Sequence, residues 1–103
     1  MSFNYSEMMK QAKIMQKQME NIQEELKNTR FDASSGGGAV KVIVNGDQEI
    51  LEIKINKEIV ELDDIEMIED MVMVALNDAL KQSKEEAKKR LKSLTGGLDI
   101  PGF

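Results

Sequence analysis

The run from Gly36 to Ile55 constrains this chain more than any other, because it can hardly be anything but a β-hairpin set between two long helical tracts. Asn45-Gly46 is a tight-turn signal joining two runs of period-2 alternation. A two-residue turn there places Val44 opposite Glu49, Val42 opposite Leu51, Val40 opposite Ile53 and Lys41 opposite Glu52. That register matches apolar with apolar on one face and plus with minus on the other. It also sets Ile43 against Ile50, an apolar spot that a lone sheet leaves wet and that a second copy of the chain is expected to cover.

Gly36, Gly37 and Gly38 are not a phosphate cradle. A P-loop needs Lys-Ser/Thr and a helix after its glycines, whereas a β-branched strand follows here. The glycines read as the turn between a short strand near residues 29–35 and the strand that begins at Ala39. The expected order is therefore an α+β chain: a long N-terminal helix (6–28), a three-stranded antiparallel sheet (29–56), a long C-terminal helix (63–94) and a Gly/Pro-containing tail (95–103).

The first helix carries Met8, Ala12, Met15, Met19, Ile22 and Leu26 in a heptad seam, which calls for a long helical partner. The second offers Ile65, Ile68, Val72, Ala75, Leu76, Ala79 and Leu80 to a core, then thins through Ser83, Ala87, Leu91 and Leu94. Asp63 reads as its N-cap, with Glu66 closing a capping box and Leu62 stapled to Met67. Strands of seven residues span roughly 23 Å, and helices of this length roughly 36 and 46 Å, so both helices must overhang the sheet. The start of the first and the end of the second project the same way, as a two-helix arm with the Met8 to Met19 seam against residues 80–94.

Composition removes most chemistry. The 103 residues contain no histidine and no cysteine, which excludes Ser-His-Asp and Cys-His nucleophile systems and an ordinary zinc site. The acids at Glu61, Asp63, Asp64, Glu66, Glu69 and Asp70 are explained by a helix start, where negative charge meets the positive end of the helix dipole. No catalytic, cofactor-binding or metal-binding residue is assigned, and no small-molecule substrate. No apolar run is long enough to span a membrane, and no export leader precedes residue 20, so the expected compartment is the cytoplasm.

Charge is segregated along the chain. The net charge is −5, yet residues 81–92 hold six cations against two acids, while residues 47–80 hold eleven acids against two lysines, Lys54 and Lys57. The candidate anion-binding set is Lys81, Lys84, Lys88, Lys89, Arg90 and Lys92 on the second helix with Lys10, Lys13 and Lys17 on the first. Cations in the last turns of a helix also complement its dipole and keep a tip soluble. From charge alone both readings stand, and Lys54 and Lys57 read as cations of an acidic body that add little.

Four separated motifs then point the same way: 8–19 (MMKQAKIMQKQM), the triple glycine before the valine-rich strand, 76–80 (LNDAL) and 95–103 (TGGLDIPGF). In this order they closely resemble the YbaB/EbfC family of bacterial nucleoid-associated proteins. The resemblance implies a homodimer shaped like tweezers, located on the nucleoid, that binds double-stranded DNA with little sequence selectivity. The nine cations above would then lie on its arms. With only Phe3, Tyr5, Phe31 and Phe103 as aromatics, binding is expected to rest on backbone phosphates rather than on base stacking or base readout. The competing expectation is an adaptor that uses the heptad seam and the apolar tail to hold another protein.

Overall fold

In the computed structural model, which describes residues 4–60 and 63–94, helix α1 spans Tyr5–Lys27, strands β1, β2 and β3 span Arg30–Ser35, Val40–Asn45 and Ile50–Ile55, and helix α2 spans Ile65–Leu94. The expected α-β-β-β-α order holds, with the sheet antiparallel in the order β1-β2-β3.

Both helices start on a side-chain cap. The Asn4 side-chain oxygen accepts from the Glu7 amide at 3.2 Å, and Asp64 Oδ1 accepts from the Met67 amide at 3.1 Å. The α2 cap is thus Asp64 rather than the expected Asp63, which puts Met67 instead of Glu66 at the third helical position, so the expected capping box with Glu66 does not form. Leu62, the expected staple, lies outside the described residues, as does the 95–103 tail. At the far end of α1, the Asn28 backbone and side chain donate to the carbonyls of Glu24 and Glu25, and the Thr29 hydroxyl donates to Glu25 at 2.7 Å, so the terminal carbonyls are satisfied.

The hairpin register differs from the expected one. Val40 lies opposite Ile55, Lys41 opposite Lys54, Val42 opposite Ile53, Ile43 opposite Glu52 and Val44 opposite Ile50. Two single-residue additions cause the shift. The loop has three residues rather than two, closed by the Asn45 amide donating to the Glu49 carbonyl at 3.0 Å, with Gln48 in the left-handed region at φ 60°. A bulge between the Ile43 and Val44 pairings then adds one more residue on β3. Beyond the bulge they move the pairing by two, so Ile53 and Ile55 keep the face of Val42 and Val40, whereas Ile50, before the bulge, turns to the face of Val44 instead of that of Ile43. Ile43 and Ile50 therefore make no pair, and the lone apolar spot expected from them does not form.

Asn45 builds that loop with its own amide. Its Oδ1 accepts from Asp47 and Glu49 backbone N–H groups at 3.0 and 2.9 Å, and its Nδ2 donates to the Glu49 carboxylate at 2.8 Å. Gly46 is required for closeness: its N–H donates to Leu26 O at 2.7 Å, and an added Cβ would press on that same carbonyl. The end of α1 is thereby tied to the hairpin tip.

The core is a single seam between sheet and helix. Val40, Val42 and Val44 are fully buried with Ala33, Ala75 and Ala79, and Phe31, Met71, Val72, Leu76 and Leu80 close around them. Alanine at 75 and 79 lets α2 approach the valines of β2 closely. Three polar ties fix its path: Ser35 Oγ donates to Met71 O at 2.6 Å, Gln82 Nε2 to Asp32 O at 3.4 Å, and the buried Ser83 Oγ to Asn45 O at 2.7 Å. Helix α2 thus runs along β2 from Met71 to Ser83 and then continues past the sheet for roughly 17 Å. The chain measures 73 × 21 × 16 Å with a radius of gyration of 19.7 Å, far above the roughly 13 Å of a compact domain of about 100 residues.

Candidate nucleic-acid interface

Where α2 leaves the sheet, α1 joins it from the opposite direction. Arg90 donates to Glu86 at 3.1 Å and reaches Glu25 of α1 at 3.8 Å. Leu26 and Leu91 are buried at this level, and Met19, Ile22, Ala87 and Leu94 are half-buried. With the helices antiparallel and in step at Glu25 and Arg90, Leu94 lies level with about residue 21. The seam packs only this far. Residues 4–18 are exposed throughout, with Met8 at 51% and Met15 at 43%, so the expected contact of the whole Met8 to Met19 seam with residues 80–94 does not form within one chain. The arm is a staggered pair in which α1 runs on beyond the described end of α2.

The lysines fall into two rows. Lys81, Lys84, Lys88 and Lys92 are spaced 3, 4 and 4, which puts them within about 80° of one another on the side of α2 turned away from Ala75, Ala79 and Ser83. All four are exposed. The same row nearer the start of the helix carries Glu66 and Asp70, so one helix face changes sign along its length. Lys88, Lys89 and Lys92 with Glu85 line a shallow depression on this overhang. On α1, Lys10, Lys13 and Lys17 form a matching exposed row, opposite the Met15, Met19 and Leu26 side of the helix.

Arg90 stands apart from the rest. It is half-buried and paired both with Glu86 and with Glu25 of α1, so it also ties the two helices together. Two exposed cations at the root of the arm, Lys27 and Arg30, were not picked out from the sequence because they flank a helix end and a strand start rather than a helical row. The contact of Ser83 with Asn45, which fixes where the overhang begins, has as its sequence signal a serine continuing the Ala75, Ala79 spacing.

Among the described residues no group of His, Cys, Asp and Glu is placed to hold a metal ion, and no helix is long and apolar enough to cross a membrane. The frame is elongated and carries exposed cations in rows on its overhanging helices. The chain belongs to the YbaB/EbfC DNA-binding family, whose model matches residues 1–98. It is 50% identical over 100 residues to a nucleoid-associated protein of Clostridium acetobutylicum, covering 97% of this chain and 89% of that relative. It is 49% identical over 103 residues to a nucleoid-associated protein of Desulforamulus reducens, covering 100% of this chain and 98% of the relative. In structure it is similar to an uncharacterized protein from Helicobacter pylori, with a TM-score of 0.84 at 29% identity over 92% of this chain and 100% of that one. The family is defined by DNA binding rather than by an enzyme activity, and nothing among these matches favours the adaptor reading.

Proposed function

We propose that this chain is a nucleoid-associated protein that binds duplex DNA as a homodimer, through phosphate contacts made by the exposed lysine rows of its arms. The observation that carries this reading is the reversal of charge along one face of α2: Glu66 and Asp70 near its start, then Lys81, Lys84, Lys88 and Lys92 toward the overhang, in a chain of net charge −5. A dimer of such chains is repelled by DNA at long range, so its grip comes from the arms within a Debye length of about 8 to 10 Å. Lys10, Lys13 and Lys17 reach further out, and Lys89 lies on the flank of the α2 row. Contacts of this kind fix position on the backbone and read little sequence.

The homodimer is supported by what one chain leaves uncovered. Strand β3 is an edge strand, and Ile50, Ile53 and Ile55, on the face where α2 packs, are 50%, 46% and 39% exposed because α2 lies over β1 and β2. Met73 on α2 is 59% exposed. An exposed apolar edge strand is a surface that proteins cover, and a second copy covering it sets a second arm beside the first.

Gel-shift titration on random-sequence duplex at 50 and 150 mM salt tests the proposal. Binding that is sequence-blind, strong at low salt and lost in a Lys84→Glu, Lys88→Glu, Lys89→Glu variant of unchanged circular dichroism is the expected result. Equal binding by that variant would refute the arm assignment. Light scattering at micromolar concentration should give about twice the 11.6 kDa chain mass, and a monomer there removes the dimer.

A further inference from the structure

The register of the hairpin creates a cluster that neither the arm rows nor the family match accounts for. Lys41 and Lys54 are direct cross-strand partners on the sheet face away from α2. Like charges in that position repel and weaken a sheet. Their only ion pairs among the described residues, Lys41 to Asp32 at 3.9 Å and Lys54 to Glu52 at 3.7 Å, are long and solvent-exposed, and such pairs offset little. Lys57, just past the end of β3, is brought to the same place: a depression of about 470 Å³ is lined by Gly38, Lys41, Lys54, Ile55, Asn56, Lys57 and Glu58. Three lysines thus line one depression on the body, which the sequence marks as the acidic part of the molecule.

We infer that this depression is a phosphate-binding site, with Lys41, Lys54 and Lys57 as its cations. An anion seated between Lys41 and Lys54 turns their mutual repulsion into attraction. A phosphate suits three separate point charges better than a single carboxylate does, since it offers acceptors in several directions and up to two negative charges. Glu58 on the rim opposes the anion and makes the site one of moderate affinity. The site is separate from the arm surface. It opens at the Val40 and Ile55 end of the sheet, away from Asn45 where the arm begins, and on the opposite side of the sheet from α2 and its lysine row. A duplex lying along that row cannot also enter it, so its phosphate comes from a second duplex or from a free phosphate compound.

The test uses the full chain in chloride buffer at constant ionic strength. Inorganic phosphate is titrated while amide NMR shifts are followed. Saturable shifts centred on Gly38, Asn56 and Lys57, with affinity reduced at least tenfold in a Lys41→Gln, Lys54→Gln, Lys57→Gln variant, are expected. The same shifts should survive in the Lys84, Lys88, Lys89 to Glu variant, so the outcome does not depend on the arm reading. Shifts that do not saturate, that spread over all lysines, or that persist in the glutamine variant overturn the site. A sandwich assay then separates the two sources, with one duplex tethered and a second labelled duplex offered in solution. Capture of the second duplex by the parent and its loss in the glutamine variant assigns the site to DNA backbone. Saturable phosphate binding without capture assigns it to a free phosphate compound.

Discussion

The body and the arm of this molecule are built on opposite terms. In the body, Val40, Val42 and Val44 show no accessible surface and Ala75 and Ala79 none either, while the surrounding chain is strongly acidic. Among the described residues of the arm beyond Ser83, only Leu26 and Leu91 are buried, residues 4–18 are exposed, and the cations stand in rows. Stability is concentrated where charge repels DNA, and positive charge is concentrated where little apolar surface is buried. Substitutions in the body should therefore act through folding, and substitutions in the arm rows should act on binding with folding left intact.

The largest effect is expected at Val42. Replacing it with Asp buries an unpaired charge, a penalty of several kcal/mol against a total stability of about 5 to 15. Thermal melts should show loss of the cooperative transition, and a melt like that of the parent would mean the core is not where β2 meets α2. Next comes the junction. Gly46→Ala sets a methyl group against the Leu26 carbonyl and should cost about 2 to 3 kcal/mol, as overpacking against backbone does. Gly37→Ala, at φ 65° but in open space, should cost only about 1 to 2 kcal/mol. Urea unfolding of both separates closeness from backbone conformation, and a reversed order would sink the account of the junction.

Ser83→Ala follows, at about 1 to 2 kcal/mol, because it leaves the buried Asn45 carbonyl without that hydroxyl donor. The smallest effect is at Met15. A lysine there should change stability by no more than about 0.5 kcal/mol, as exposed substitutions do. A loss above about 2 kcal/mol, measured at several protein concentrations, would show that a second chain covers the free part of the seam.

How much of this was legible in the sequence follows the same division. The order of elements was legible because period-2 and period-3.6 patterning each run over many residues. The lysine rows were legible because helical spacing converts positions directly into faces. The register was not, since one left-handed residue at Gln48 and one bulge on β3 carry no pattern of their own, and the meeting of Lys41 with Lys54 depends on both. The seam misled for a different reason. A heptad row states that a partner is wanted, but not whether the chain's own second helix extends far enough to supply it, and here the described part of α2 stops level with about residue 21. The Asp63 and Asp64 choice turned on a single residue that capping preference alone does not decide.

The central claim is that the overhanging lysine rows, and not the chain as a whole, hold DNA. The slope of log affinity against log salt, measured for parent and variant on the same random duplex, tests it most directly. Neutralising four to eight phosphates per dimer predicts a slope of roughly −4 to −7 for the parent. In the Lys84→Glu, Lys88→Glu, Lys89→Glu variant, binding should vanish even near 50 mM salt while melting temperature and mass stay those of the parent. A variant that binds with the parent's affinity and the parent's slope would contradict the claim.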